Sequence, residues 1–320
     1  MIEIPKPSLS VVVPCYHSEK TLPKLQEAVL ETLNKNSFQF ELIYIDDGSK
    51  DKTWETIERL KHNNPRITGI KLSRNYGQHN ALLCGIRAAQ NDVIITIDDD
   101  LQNPPEEIPR LVHALGDSFD VVYGHPKSET HGIFRNAASR ITKFALKSAM
   151  GVDSAARVSA FRAFRKDVAK AFDDYKGPFV NIDVLLTWGT SAFTFCTVTQ
   201  RERSIGTSGY TFKKLVHHAI NMMTGFSAAP LHLASVLGLI LGFFGILTLM
   251  YVIGSYIMLG TSVPGFTFLA SLIAIFSGTQ LFAIGVFGEY LSRIHFRSMD
   301  KPSYSIKAKT SETPTDNGGK

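Results

Sequence analysis

The sequence predicts an α/β fold with a mostly parallel sheet, followed by two helices that cross a membrane. In the first part of the chain, apolar β-branched runs alternate with segments of helical periodicity, as in right-handed strand-helix-strand crossovers. Several of these runs end in polar or acidic turns. Further along, no Asp, Glu, Lys or Arg occurs between Lys214 and Glu289, and such a stretch is too apolar for water.

Four short segments are predicted to be strands. In chain order they read LSVVVPCY, FELIYIDDGS, ITGIKLS and DVIITIDDD. The intervening segments EKTLPKLQEAVLETLNKN, KTWETIERLKHNN and HNALLCGIRAAQ repeat apolar residues at helical intervals. This order favours a Rossmann-like architecture, in which ligands lie beyond the carboxyl ends of the strands. The sequence has no GxGxxG after the first strand and no GxxxxGK[ST], which argues against an ordinary NAD site and excludes a P-loop.

Carboxylates follow two of the predicted strands. Asp46 and Asp47 follow the second strand, and Asp98, Asp99 and Asp100 follow the fourth. Adjacent carboxylates in a partly dehydrated site repel one another unless a cation shares the site. Mg²⁺ and Mn²⁺ prefer such oxygen ligands, completed by phosphate oxygens and water. The sequence therefore predicts a divalent cation that bridges these carboxylates and a nucleotide.

Both acidic clusters also have a purely structural alternative. The aspartate triplet could be a solvated turn before the helix that begins in NPPEEIPRLV. The Asp-Asp-Gly-Ser sequence at residues 46–49 is a good turn, and the SKDKT that follows could cap the next helix. Sequence patterns alone leave both alternatives open.

Two apolar segments, 231–260 and 266–291, each exceed the roughly 20 residues that a transmembrane helix needs. Lys and Arg flank the pair on its outer sides, and the connecting loop carries no charge, which predicts that both ends face the cytoplasm. A helical pair buried in a soluble core is the alternative, although these runs are long and lack polar faces. The N-terminus leads directly into a strand, so no cleavable signal is expected.

The chain is thus predicted to have four parts. The segment YTFKKLVHHAINMMTGF is amphipathic at helical spacing and is predicted to lie in the membrane interface, although an ordinary core helix would have the same pattern. The predicted parts are a soluble domain over 1–211, an interfacial helix over 212–229, a hairpin over 230–292 with helices at about 231–258 and 266–290, and a cytoplasmic, largely disordered tail over 293–320.

The net charge of +5 and the pI near 9.0 fit attraction to an anionic leaflet or to phosphate-bearing substrates. Nucleic acid is not an expected partner, because the basic residues form no aromatic-interleaved patch and none of the common binding signatures occurs.

Four motifs occur in a fixed order: VVVPCYHSE, YIDDGSKDKT, LSRNYGQHNALLCGI and DDDLQNPPEEIPRLV. With these motifs and two C-terminal spans ending in GEYLSRI, the chain from about Ser8 to Arg297 resembles the family 2, GT-A-fold polyprenyl-phosphate glycosyltransferases. The resemblance implies a GT-A catalytic domain in a bacterial inner membrane protein. It also implies that the enzyme moves a monosaccharide from a nucleotide diphosphate sugar, a UDP-sugar, to undecaprenyl phosphate and inverts the anomeric centre.

The resemblance further implies roles for individual residues. The nucleotide sugar would be held by Pro14, Tyr16, Glu19, Asp47, Asp98 and Asp99. Mg²⁺ or Mn²⁺ would be held by Asp98, Asp100 and Gln102. The acceptor phosphate would be held by Arg135, Arg140, Arg162, Arg203, Ser208 and Lys213. Within these sets, Asp100, Arg135 and Arg203 are expected to act in catalysis, and relatives suggest a homo-tetramer.

Some positions depart from the family pattern or have another explanation. In the segment RERSIGTSGYTFKK, close relatives have Lys after the residue that is Ser208 here, where this chain has Gly209, so either Lys213 or Lys214 would take that role or pyrophosphate binding would be weaker. Segment 176–191, with Asp183 and Trp188, should line the sugar or acceptor side but follows the pattern poorly. Each single arginine could also be a surface charge or a lipid-headgroup anchor.

Two other functions are compatible with a similar fold. A processive polysaccharide synthase would carry a Q-x-x-R-W motif and more spans, and the sequence has neither. A non-catalytic, membrane-bound nucleotide-sugar sensor would have no use for the acidic triplet, whose mutual repulsion is costly to keep. The lipid-linked sugar transferase is the prediction that accounts for both the triplet and the hairpin.

Overall fold

The structure, a computed structural model, describes residues 6–126, 158–201, 224–259 and 265–310. The strands are β1 (Leu9–Cys15), β2 (Phe40–Asp46), β3 (Ile67–Leu72), β4 (Val93–Thr96), β5 (Val121–Pro126), β6 (Arg162–Arg165), β7 (Phe193–Val198) and β8 (Ile306–Lys309). The helices are α1 (Leu22–Lys35), α2 (Thr53–Asn63), α3 (Gln78–Ala88), α4 (Ile108–Leu115), α5 (Lys166–Ala169), α6 (Ile182–Gly189), α7 (Ala229–Leu259) and α8 (Phe266–Ser298).

All of these strands belong to one sheet, with the order β7-β5-β6-β4-β1-β2-β3-β8. Its centre, β4-β1-β2-β3, is parallel, as the alternation of strands and helices predicts. β6 runs antiparallel between β4 and β5, and β7 is parallel to β5. The predicted mostly parallel α/β sheet is therefore confirmed.

The central strands are mostly apolar because helices cover both faces of the sheet. All seven residues of β1 are buried, and so are all four residues of β4. Side chains of β1 alternate between two cores, so that Val11 packs with α1, α2 and α4 while Val12 packs with α3. Continuous apolar runs are typical of parallel strands buried in this way.

The register of the central strands brings three chain turns to one edge of the sheet. Cys15 at the end of β1 pairs with Asp46 at the end of β2, and Thr96 at the end of β4 pairs with Val12. The turns after β1, β2 and β4 therefore lie side by side, at the edge where ligands bind in such sheets.

α7 and α8 are long, apolar helices that follow the sheet. Ala229–Met258 and Ser271–Ser298 have mean hydropathies of 2.5 and 1.7, and neither is buried within the protein. Both are long enough to cross a bilayer. They begin within a few residues of the predicted starts. Of the predicted interfacial helix, Thr224–Phe226 are helical and residues 212–223 lie outside the described residues.

The tail after α8 differs from the sequence prediction. Residues 293–298 continue α8, and β8 pairs antiparallel with β3, with Ile70 opposite Lys309. The prediction of disorder over 302–310 is therefore wrong. Its basis was the lack of hydrophobic periodicity, but an exposed strand edge offers backbone N–H and C=O groups that pair with any extended segment. Residues 311–320 lie outside the described residues.

Candidate active site

A cavity of about 480 Å³ opens at the carboxyl ends of β1, β2 and β4. Six of the residues predicted to bind nucleotide or metal line it: Pro14, Tyr16, Asp47, Asp98, Asp99 and Asp100. His17, Asn75, Gly77 and Gln78 line it as well, although no role is predicted for them from the sequence. The parallel register thus brings the strand-end signals together, as the sequence predicts.

Two predicted residues are not among those that line the cavity. The Glu19 carboxylate accepts a hydrogen bond from the Lys52 backbone N–H at 3.1 Å, so it holds the turn before α2. The Gln102 backbone N–H donates to Asp100 Oδ1 at 3.1 Å, and the Gln102 carbonyl accepts from Arg201 N–H at 2.8 Å. These contacts give both residues a role in fixing the loops around the cavity.

The three carboxylates after β4 each have a different partner. Asp98 Oδ1 accepts from Gln78 Nε2 at 2.6 Å. Asp99 Oδ2 accepts from the Ser18 hydroxyl and from the Tyr16 backbone N–H. Asp100 accepts within its own turn, and the next residue, Leu101, has the left-handed φ of 62°, which leucine rarely adopts. Hydrogen bonds from Gln78, Ser18 and Tyr16 therefore hold this turn in place, and it is not a free, solvated turn.

Burial is the largest influence on the pKa of two carboxylates at this edge of the sheet. It raises the pKa of Asp99, although the hydrogen bonds from Ser18 and Tyr16 act in the opposite direction. Burial likewise raises the pKa of Asp47, against the effect of the Tyr76 and Gly77 N–H groups. Carboxylates whose negative charge is disfavoured by their surroundings are stabilised by a bound cation.

The residues present fit a magnesium or manganese ion. Asp98 and Asp100 both line the cavity and offer carboxylate oxygens, which these cations prefer. Among the described residues, no three His, Cys, Asp or Glu side chains are arranged to hold a metal ion on their own. One or two carboxylates completed by water and phosphate oxygens are the usual protein site for Mg²⁺, so substrate would complete this one.

Asp47 binds the loop that forms the opposite wall. Its two oxygens accept from the backbone N–H groups of Tyr76 at 2.7 Å and Gly77 at 2.8 Å. Gly48, with φ of 69°, approaches this loop so closely that a Cβ there would lie 2.4 Å from the Arg74 carbonyl carbon. The turn after β2 and the loop after β3 are therefore packed backbone to backbone.

Asp46 has a structural role, as the turn alternative for this sequence predicts. It is fully buried, its Oδ1 accepts from the Ser49 backbone N–H at 2.9 Å, and Lys71 Nζ lies 3.9 Å from Oδ2.

Sequence reasoning missed two features of the cavity. His17 stacks on Tyr16, with ring centroids 4.2 Å apart and an interplanar angle of 15°. Gln78 lies in the first turn of α3 and reaches Asp98 across the cavity. The adjacent aromatic residues were the available signal for the stacking. The contact of Gln78 with Asp98 joins distant parts of the chain, and the NYGQHN segment has no local pattern that identifies it.

Arg162 corrects one of the acceptor-site predictions. It is 1% exposed, its guanidinium forms an ion pair with Asp183, and its Nε donates to Thr96 Oγ1 at 3.0 Å. Tyr123 donates its hydroxyl proton to the same Asp183 carboxylate at 3.1 Å. Because β6 lies between β4 and β5, this arginine is buried in the domain core and cannot contact an acceptor phosphate.

Segment 176–191, predicted to line the sugar or acceptor side, contains one buried and one half-exposed candidate residue. Asp183 is committed to the buried pair with Arg162, whereas Trp188 is half exposed and contacts Tyr175 edge to face at 5.6 Å. The remaining predicted acceptor residues lie outside the described residues: Arg135, Arg140, Arg203, Ser208 and Lys213.

A mostly parallel sheet with an acidic cavity at its carboxyl edge, and without a glycine-rich phosphate loop after β1, fits the catalytic domain of a glycosyltransferase. Glycosyl transferase family 2 matches residues 10–172, and the chain belongs to this family. The protein is therefore a glycosyltransferase, and its sheet is that of the GT-A fold.

The chain is similar to curated bacterial proteins over nearly its whole length. One from Photorhabdus laumondii, named undecaprenyl-phosphate 4-deoxy-4-formamido-L-arabinose transferase, is 34% identical over 310 residues, which are 96% of this chain and 95% of that protein. A protein of the same name from Proteus mirabilis is 32% identical over 302 residues, 93% of each chain. Among solved structures, glucosyl-3-phosphoglycerate synthase from Mycobacterium tuberculosis, in complex with Mn²⁺, uridine diphosphate and phosphoglyceric acid, is 16% identical with a TM-score of 0.49, over 68% of this chain and 76% of that one.

Proposed function

We propose that this protein transfers a monosaccharide from a UDP-sugar to undecaprenyl phosphate, with inversion, at the cytoplasmic face of the membrane. The observation that carries the proposal is the acidic cavity at the carboxyl edge of β1, β2 and β4. Near full-length similarity to transferases named for undecaprenyl phosphate, and two helices long enough to cross a bilayer, support a lipid acceptor.

On the donor side, we assign Asp98 and Asp100 to a Mg²⁺ or Mn²⁺ ion on the diphosphate of the nucleotide sugar. The ion would supply positive charge against the charge that develops on the leaving nucleoside diphosphate. Asp99, which lies between these two aspartates, fixes the turn by accepting a hydrogen bond from the Ser18 hydroxyl. The stacked rings of Tyr16 and His17 offer a flat surface for the base, with Pro14 and Asp47 beside it.

On the acceptor side, the nucleophile needs little activation. A phosphate oxygen is already anionic at neutral pH, so no strong general base is required. Bringing two anions together is the larger obstacle, and arginines suit it because their guanidinium groups bind phosphate oxygens in pairs. We assign Arg135 and Arg203 to this role, assisted by Arg140, Ser208 and Lys213.

The proposal is tested with membranes that contain the protein, undecaprenyl phosphate, Mg²⁺ or Mn²⁺, and a panel of radiolabelled UDP- and GDP-sugars. The expected product is a chloroform-soluble monosaccharide that is released by mild acid, formed from one donor and only when both lipid and metal are present. The panel identifies the sugar, and chelation of the metal tests the role of the ion.

Three results would contradict the proposal. A water-soluble polymer would indicate a processive synthase, and donor binding without turnover would indicate a sensor. Full activity after exhaustive chelation would remove the metal from the mechanism. Chemical cross-linking of the same membranes tests the homo-tetramer that the family resemblance implies.

A further inference from the structure

The segment that follows α8 returns to the domain built on the sheet. Its residues 303–305 lie near the acidic cavity at the carboxyl edge, called the donor cavity below. Ser303 is buried, and its hydroxyl donates to the Gly177 carbonyl at 2.7 Å. Ser73 N–H donates to the Ser305 carbonyl at 2.9 Å, and β8 then continues along β3. The chain on the far side of the two apolar helices is thus built into the domain that precedes them.

Asn80 connects this segment to α3. It is buried, and its Nδ2 donates to the Ser303 carbonyl at 2.6 Å and to the Pro178 carbonyl at 3.2 Å. Its neighbour His79 accepts from the Ile182 N–H at 3.2 Å. These contacts tie the first turn of α3 both to the returning segment and to α6.

The same helical turn carries Gln78, which donates to Asp98 in the acidic turn at 2.6 Å. The residue before it, Gly77, is the N-cap of α3 and has no side chain with which to cap the helix. The start of α3 is therefore not fixed by a local cap. Its position depends on the contacts that its side chains make with other parts of the chain.

The loop before α3 is held on two sides. Asp47 accepts the Tyr76 and Gly77 N–H groups on one side, and Ser305 accepts the Ser73 N–H on the other. Gly77 and Gln78 line the donor cavity. Loss of the contact with Ser305 would remove the support of this wall on the side of the returning segment.

We propose that the returning segment, residues 303–305, is a positioning element of the donor site and acts through Asn80. It places Gln78 against Asp98 and holds loop 73–77 against Asp47, so the cavity has its binding geometry only when this segment is docked. Asn80 is a positioning residue, because it contacts neither Asp98 nor the cavity. The inference rests on the proposed function only in taking the ligand to be a nucleoside diphosphate.

The test uses the full-length protein in lipid nanodiscs, with UDP and Mn²⁺ as the probe. For Asn80→Ala we expect the Kd for UDP to rise about fivefold, the effect of losing one buried hydrogen bond. Thr310→Val is the matched control, because Thr310 accepts from the Gly69 N–H at 2.9 Å at the other end of β8. It should destabilise the same strand but leave the Kd for UDP within about twofold.

Two further measurements separate positioning from general destabilisation. In Asn80→Ala the KM for the donor should rise while the KM for undecaprenyl phosphate does not change. Amide hydrogen exchange at residues 73–80 should become faster in Asn80→Ala, and in Ser303→Ala, than in Thr310→Val. Ser303→Ala serves where Asn80→Ala does not fold.

The inference is overturned if exchange at residues 73–80 is unchanged in both variants, or if the control raises the Kd for UDP as much as they do. If the wild-type protein binds no UDP, the proposed donor is wrong. The exchange measurement, which needs no ligand, then still decides whether the returning segment positions this wall.

Discussion

At the scale of single residues, the acidic turn owes its geometry to neutral donors. Gln78 lies in α3 and Ser18 in the turn after β1, and they bind neighbouring carboxylates, Asp98 and Asp99. A carboxylate can accept about four hydrogen bonds, so it can take part in such a contact and also coordinate a cation. The triplet is therefore arranged before any cation arrives, which lowers the cost of binding one.

Asp100→Asn is expected to reduce turnover by at least about a hundredfold, because the substitution removes a charge that the proposed metal ion requires. Initial rates with the donor from the panel measure this effect, and thermal unfolding shows that the fold is retained. Asp117→Asn, at an exposed carboxylate in the turn after α4, is the matched control. Rates within about twofold of wild type in Asp100→Asn would remove this carboxylate from the metal site.

Gly48→Ala tests the close approach of the two loops. A Cβ at residue 48 would meet the Arg74 backbone at 2.4 Å, and the φ of 69° is itself unfavourable for alanine. We expect UDP binding to weaken about tenfold or more and the melting temperature to fall. Gly116→Ala shares the positive φ but has only the His113 carbonyl, at 3.8 Å, near the new Cβ, so it should lower stability and leave binding unchanged. Equal effects on UDP binding in the two variants would contradict the argument.

At the scale of elements, a buried polar cluster joins β4, β5, β6 and α6. Arg162, Asp183, Tyr123 and Thr96 satisfy one another inside the domain core. Thr96 is the last residue of β4, two positions before Asp98, so this cluster also anchors the strand that carries the acidic turn.

Arg162→Met is expected to lower the free energy of unfolding by about 3–5 kcal/mol, because it leaves Asp183 buried without its counter-charge. Arg165→Met is the control on the same strand, since its ion pair with Asp120 is more than a third exposed and contributes less than about 1 kcal/mol. The double variant Arg162→Met, Asp183→Asn should recover part of the loss. Denaturant unfolding in detergent measures the free energy of unfolding of all three variants. Similar losses for Arg162→Met and Arg165→Met would show that the buried ion pair contributes no more to stability than the exposed one.

The sequence predicted the elements whose pattern is local. β1 to β4 and α1 to α3 follow from alternating apolar runs, and the two long helices follow from their length and lack of charge. It could not predict β8, because pairing at a strand edge uses backbone groups that any residue carries. Arg162 was misassigned for a related reason: only the placement of β6 between two distant strands buries its side chain.

At the scale of the whole molecule, the domain built on the sheet is discontinuous in sequence. β1 to β7 precede the two apolar helices and β8 follows them, yet all of them belong to one sheet. A pair of helices that crosses a bilayer must therefore return to the side from which it started. This agrees with the hairpin that the flanking charges predict.

Cysteine labelling tests this arrangement. In a Cys196→Ser background, Thr261→Cys between the helices should react with an impermeant maleimide added outside intact cells, whereas Lys301→Cys should react only in inverted vesicles. Cys15 and Cys84 are buried and should not interfere. Equal labelling of residues 261 and 301 from one side would contradict the hairpin.

The late position of β8 in the chain has a consequence for biosynthesis. Domains made on the ribosome begin to fold from their N-terminal part, so the edge of β3 stays open while both helices are being translated and inserted. An open strand edge invites pairing with other nascent chains. β8 can pair with this edge only after both helices have been synthesised. The pairing also requires that the end of the chain lies in the same compartment as the catalytic domain.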